Sequence, residues 1–157
     1  MTRKNLIALA ALGSAALLAG AFLFQALGYA PCKMCLWQRY PHAVAAALGA
    51  IAFFIPLPAM ILSALILVGA LAALTTAGIG GYHMGVEQGW WEGPSTCTAG
   101  AIDSIDANAL FDQIMGAPLV RCDDIAWQLA GLSMAGWNMV ISLVLAAIWI
   151  TALRRRA

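Results

Sequence analysis

AIAFFIPLPAMILSA, residues 50–64, lies inside a run from Tyr40 to Val86 that holds no Asp, Glu, Lys or Arg. A helix needs about 20 apolar residues to cross a bilayer core, so this run is too long for one crossing. Pro56 and Pro58 divide it. Proline lacks an amide donor and pushes the residue before it out of the helical region. The cut leaves a long apolar segment near 59–81 and a short one near 41–55. The short one must draw in residues 36–40 to reach spanning length.

Two more runs free of charge extend from Asn5 to Ala30 and from Ile125 to Leu153. Each holds one span. The expected class is therefore an all-α membrane protein: one domain, 1–157, a bundle of four transmembrane helices near 6–28, 36–55, 59–81 and 133–153. Composition agrees, with 63% hydrophobic and 10% charged residues where soluble domains carry about 25% charged. Small residues fill the spans (Ala8, Ala10, Ala11, Ala45, Ala46, Ala47, Gly49, Gly69, Ala72 and Ala73), which lets helices approach closely. Arg3 and Lys4 ahead of an apolar core also fit a cleaved signal peptide. Apolar character runs on to Leu27, however, past the usual core of about 7–15 residues.

The charges set the orientation. Arg3, Lys4, Arg154, Arg155 and Arg156 flank the two ends and make up most of the 8 cations. Cytoplasmic flanks carry the Lys and Arg excess, so both termini are expected inside. All 7 acids fall between spans three and four. Two outer loops result, 29–40 and 82–132. A net charge of +1, with the basic residues confined mainly to short flanks of the apolar runs, gives no reason to expect a nucleic-acid partner.

All 4 cysteines fall in those outer loops, Cys32 and Cys35 in the first, Cys97 and Cys122 in the second. Disulfides persist in such compartments. Four cysteines allow three connectivities, and sequence does not choose among them. The tight spacing lets Cys32 and Cys35 bridge each other, and Cys97 with Cys122 can then close the long loop. As a mere staple, a bridge over two residues removes little loop entropy. Such pairs serve more often as redox couples or metal ligands. Structural zinc sites usually pair two tight knuckles, whereas Cys97 and Cys122 stand 25 positions apart, so no metal is expected. If the second span begins near Leu36, Cys35 sits at a helix N-terminus, which favours a thiolate. Arg39 lies one turn on and lowers a neighbouring thiol further, although Pro41 leaves open a loop conformation for it.

PCKMCLWQRYP, residues 31–41, resembles the PCxxCxxQRxP signature of the disulfide bond formation protein B family, DsbB. The run from Tyr82-His83-Met84 through Trp90-Trp91 to Cys97 is similar as well. So is the passage from Cys122-Asp123-Asp124 to Trp127, Gly131-Leu132-Ser133-Met134 and Trp137-Asn138. The resemblance covers nearly the whole chain. It implies a protein-disulfide:quinone oxidoreductase of the bacterial inner membrane with periplasmic redox loops. Its partner would be a periplasmic DsbA-like thioredoxin-fold oxidase, and its acceptor the membrane quinone pool, ubiquinone or menaquinone. Cys32, Cys35, Cys97 and Cys122 would carry the electrons. The partner would attack Cys97, accessible in a loop containing Gly93, Pro94 and Gly100, and a Cys32–Cys122 bridge would pass the electrons on. Cys35, Arg39 and His83 would face the quinone.

Three smaller expectations complete the reading. His42 is an interfacial residue at a helix start. Trp37, Trp90, Trp91, Trp127 and Trp137 form an aromatic belt. Ile102, Ile105, Ala109, Phe111, Ile114 and Met115 recur at helical spacing, as a short amphipathic helix on the outer leaflet would.

Overall fold

The structure is a computed structural model and describes residues 1–98, 111, 115 and 120–155. Four long helices occur among them: α1 (Arg3–Ala26), α2 (Lys33–Phe54), α3 (Ala59–Glu87) and α4 (Met134–Arg154). The short interfacial helix expected over 102–115 falls outside the described residues, Phe111 and Met115 apart.

Local chemistry explains the boundaries. Thr2 caps α1 by accepting the Asn5 amide at 3.2 Å, and Ser133 caps α4 by accepting that of Gly136 at 3.1 Å. Ile55 to Pro58 separates α2 from α3, as the two prolines require. The helix start expected at Leu36 is three residues late, because Cys32 acts as the cap and its sulfur accepts the Cys35 amide at 3.2 Å. The helix also continues through Pro41, so Arg39 is helical and the loop alternative is corrected. Pro41 deprives the Trp37 carbonyl of its usual donor, a loss the bundle tolerates. One residue on, the Thr76 hydroxyl reaches across from α3 to the Gln38 carbonyl at 3.2 Å.

α3 corrects a second boundary. It runs to Glu87, not to 81, and its 29 residues reach about 43 Å, longer than the ~30 Å hydrocarbon core. Nothing in Tyr82–Val86 stops a helix; the stop comes at Gly89, whose φ of +69° suits glycine. His83 and Glu87 therefore stand on a rigid rod. A further element had no signal recognised in the sequence: β1 (Gln128–Leu129) pairs antiparallel with β2 (Leu132–Ser133). Ala130 and Gly131 turn the chain with φ of +52° and +80°, the positive pair of a tight hairpin. The Trp137 indole donates to the Leu129 carbonyl at 3.0 Å and ties the hairpin to α4.

The helices close a ring, α1 on α2, α2 on α3, α3 on α4 and α4 on α1. Arg3 donates to Ser63 at 2.9 Å and Lys4 lies 4.5 Å from the Phe53 ring centre, so the N-terminus shares an end with the proline turn. The core joins Ile7, Ala10, Ala52, Ile66, Ala73 and Leu145 around a fully buried Trp149. The small-residue stripe is buried where helices touch, at Ala10, Ala45, Gly49 and Gly69, but Ala47 faces outward. The Trp149 indole occupies the space over Gly69, where a Cβ would come within 2.9 Å of the ring. Gly69→Val should therefore cost about 1–3 kcal/mol of stability through overpacking. Thermal unfolding in detergent would show it as a lowered midpoint; an unchanged midpoint contradicts the close contact.

α1, α3 and α4 are each long and apolar enough to cross a membrane, which makes this a membrane protein. Their outer faces expose Leu12, Leu71 and Val144, as lipid contact requires. α2 falls short of that standard of apolarity because Lys33, Gln38, Arg39 and His42 crowd its first half. Those same residues build the site.

Candidate active site at the cysteine end of the bundle

The four cysteines, remote in sequence, meet in one buried cluster with Met34 and Val86. Cys97 and Cys122 form a disulfide, with Cα atoms 5.3 Å apart. The Cys122 amide also donates to the Cys97 carbonyl at 2.6 Å. Cys32 and Cys35 are unbonded thiols whose sulfurs lie 2.9 Å apart. One of the three connectivities left open by the sequence is thus realised at the Cys97–Cys122 pair.

Cys97 is not accessible as expected. It is only 1% exposed. A turn stabilised by Cys97 and Thr98 amides on the Pro94 carbonyl, at 2.9 and 3.0 Å, folds the loop inward. Trp91 packs over Gly85 at the end of α3 and stacks on Tyr82, which presses the loop onto the bundle. A sulfur pair is apolar, and this is where apolar side chains could cover it.

Helix α2 differentiates the other two thiols. Both precede its apolar part. The Cys32 thiol donates to the Cys35 sulfur, which is the main reason the Cys35 thiol is held below its ordinary value; burial opposes the shift. The Cys32 backbone amide and the Arg39 charge act in the same lowering direction, the arginine least of all, and the Glu87 carboxylate opposes them. The same hydrogen bond, with burial, pushes Cys32 up. Cys35 should thus remain a thiolate to lower pH than an ordinary cysteine, and lose it as pH falls through the depressed value. In Cys32→Ala the donor is gone and the midpoint of Cys35 alkylation should rise in pH. A pH–rate series with iodoacetamide on reduced protein tests this; identical midpoints would refute the assignment.

Arg39 bonds to α1. Its guanidinium donates to Gln25 Oε1 at 2.6 Å and the Ala21 carbonyl at 3.2 Å, and rests 4.8 Å from the Phe22 ring centre. α1 thereby holds it at the wall of a cavity of about 730 Å³. Cys32, Cys35, His83 and Glu87 line one side, and Leu17 and Phe24 contribute apolar wall. Its Nε is buried with no acceptor among the described residues, and so is His42 Nδ1 without a donor. The orphaned Arg39 N–H beside apolar walls suits an amphipathic ligand with an oxygen at its rim, while the bare His42 nitrogen would take a donor such as a hydroxyl.

His83 is buried on the cavity side, Nε2 3.5 Å from Cys32 Sγ and 3.8 Å from Glu87 Oε1. Cys32, Cys35 and His83 bring three ligand-type atoms within 4.8 Å of one another. His42 corrects its expectation. It is 3% exposed and inside the bundle, bonded to Asn138 Oδ1 at 2.8 Å. Of the tryptophans, Trp90 is 63% exposed and Trp37 and Trp91 are partly so, as a belt would be, while Trp127 and Trp137 line the cavity.

Sequence reasoning assigned no role to Glu87, Gln38 or Asn138. Glu87 was legible in principle, four residues after His83 and so on one helix face. Its carboxylate accepts from the Ser133 hydroxyl, which fastens the end of α3 to the start of α4. Gln38 and Asn138 carry no local signal, because a lone amide in an apolar helix reads the same whether or not it finds a partner.

Comparison with known proteins identifies the family. The family model for disulfide bond formation protein DsbB matches residues 3–152. A disulfide bond formation protein B of Albidiferax ferrireducens is 28% identical over 165 residues, covering 97% of this chain and 91% of its own length. Another, from Verminephrobacter eiseniae, is 30% identical over 162 residues, covering 98% and 88%. No solved structure matches. Matched over almost its full length, with its four cysteines gathered at one end of a helical bundle, the chain belongs to the DsbB family of disulfide bond formation proteins.

Proposed function

We propose that the protein is a quinone-linked thiol oxidoreductase that reoxidises a periplasmic DsbA-like dithiol oxidase. The observation that carries the reading is the meeting of both cysteine pairs beside a largely apolar cavity walled by Arg39 and His83. In this reading the chain is one domain with four spans, α2 being the fourth, in the bacterial inner membrane. Both termini are cytoplasmic and the cysteines periplasmic. The positive ends and the placement of the acids support that orientation.

The exchange balances as follows. A partner thiolate attacks Cys97 Sγ, the Cys97–Cys122 bond breaks, and the electron pair leaves on Cys122. Cys122 attacks Cys32 of an oxidised Cys32–Cys35 pair and Cys35 departs as a thiolate. The second partner thiol resolves its bond to Cys97, releasing oxidised partner. Cys97 then attacks Cys122, restoring the outer disulfide and freeing Cys32. The result is a reduced Cys32/Cys35 pair and an intact Cys97–Cys122 bond, the arrangement found here. Burial of Cys97 requires the turn at 94–98 to open for the partner.

A quinone in the cavity supplies a two-electron, two-proton acceptor. Arg39, His83 and Cys35 would hold it, with Leu17 and Phe24 against its apolar part. The guanidinium, fixed by α1, contributes a preorganised positive charge where an oxygen becomes negative. The test is anaerobic mixing of purified protein, reduced thioredoxin-fold oxidase and ubiquinone or menaquinone. Quinone absorbance should fall in step with disulfide formation in the partner. No loss with either quinone rejects the proposal. The clustering of Cys32, Cys35 and His83 favours one second reading, a thiolate metal site, which elemental analysis of reduced protein would reveal as bound metal.

A further inference from the structure

A line of amides runs from the thiols into the middle of the bundle, and its polarity can be read. Gln38 Nε2 donates to the Met34 carbonyl at 3.2 Å. A carbonyl only accepts, so that atom is the NH2 end. Gln38 Oε1 then accepts from Asn138 Nδ2 at 2.7 Å. The Thr76 carbonyl, 3.3 Å from Asn138 Nδ2, fixes the asparagine independently and in the same sense. Asn138 Oδ1 is left to accept from His42 Nε2 at 2.8 Å and the Ser142 hydroxyl at 3.3 Å. Reversing Gln38 would set oxygen against the Met34 carbonyl and NH2 against NH2.

The other N–H of Gln38 points at His83 Nδ1, 3.0 Å away. A nitrogen that accepts from an amide carries no proton of its own. The single N–H of the neutral ring is then at Nε2, facing Cys32 Sγ at 3.5 Å and Glu87 Oε1 at 3.8 Å. The His83–Glu87 approach is accordingly a long N–H to carboxylate contact, not an ion pair.

We propose that Gln38 and Asn138 are positioning residues that lock His83 in its Nε2–H tautomer, so that His83 donates a hydrogen bond to the sulfur of Cys32 and does not accept its proton. This rests on the thiol-exchange reading and adds a specific role within it. When Cys97 displaces Cys32 from Cys122, negative charge returns to a sulfur that is 4% exposed. A fixed N–H beside it stabilises the departing thiolate.

The tautomer can be measured without turnover. The chain has 2 histidines, so histidine-selective ¹⁵N labelling of reduced protein in lipid nanodiscs gives a simple spectrum, assigned with a His42→Gln variant. His83 should show a protonated Nε2 and a bare Nδ1. Gln38→Glu puts an acceptor at Nδ1 and should invert the tautomer. Asn138→Leu frees Gln38 Oε1 and should give both tautomers, which keeps the test available if the glutamate variant does not fold. In single-turnover mixing, the reduced Cys32/Cys35 pair should form about tenfold more slowly in Gln38→Glu. A wild-type His83 protonated at Nδ1, or a Gln38→Glu spectrum identical to wild type, overturns the proposal. Neither result bears on whether quinone is reduced, and a failure to reduce quinone leaves the tautomer result standing.

Discussion

Cys35→Ala should abolish quinone-dependent oxidation of the partner, by on the order of a thousandfold or more, while the protein keeps its stability to unfolding within about 1 kcal/mol. In the proposed electron route Cys35 carries the reactive sulfur of the pair. Its thiol is held low chiefly by the hydrogen bond from Cys32, and it is partly exposed at the cavity wall, whereas Cys32 at the same wall is pushed up and buried. No other described thiol has that combination. The side chain is also partly exposed and contributes little to the Trp149 core at the opposite end, so its loss leaves packing intact. The measurement is steady-state quinone reduction beside a melting curve of the same preparation. Wild-type turnover in the variant would end the proposed electron route. Lost turnover with a collapsed fold would instead point to a stapled scaffold, and lost turnover with lost zinc to the metal reading.

Arg39→Ala should raise the apparent KM for quinone or slow the quinone step by roughly 10- to 100-fold. A fully water-excluded oxyanion donor is worth about 10²–10³, and Arg39 is placed lower because its cavity is open to lipid or water. The first exchange, partner with Cys97, should proceed near its normal rate, since the guanidinium contacts α1 and not the outer disulfide. Arg39→Lys should recover part of the loss, as an ammonium keeps the charge but lacks the planar fork that spans Gln25 and the Ala21 carbonyl. Stopped-flow separation of the two half-reactions checks the division. Equal slowing of both halves, or unchanged quinone kinetics, removes the role given to this residue.

Much of the architecture was readable along the chain because its causes are local. Pro56 and Pro58 break a helix wherever they stand, so the α2–α3 turn was placed correctly. Apolar run length and flanking cations act over about 20 residues at a time, and the resulting helices lie close to where they were expected. Errors at α2 and α3 came from weak local signals. A cysteine served as the cap, Pro41 was absorbed by a packed helix, and nothing before Gly89 told α3 to stop.

The site divides the same way. Its chemistry was set by the sequence alone: two cysteine pairs, an arginine one turn beyond the second thiol, a histidine at the far end of another apolar run. Tertiary structure decided what those groups touch. Cys97 is covered because two helix ends, the start of α2 and the end of α3, supply Met34 and Val86 to cover it. Arg39 belongs to α1 more than to Cys35 because Gln25 and Ala21 lie across an interface. His83 is a donor because Gln38, 45 residues away, meets it, and Gln38 is oriented by Asn138, 100 residues further on. A helix face is written every three or four residues, but a buried amide acquires its meaning only when folding brings its partner within 3 Å.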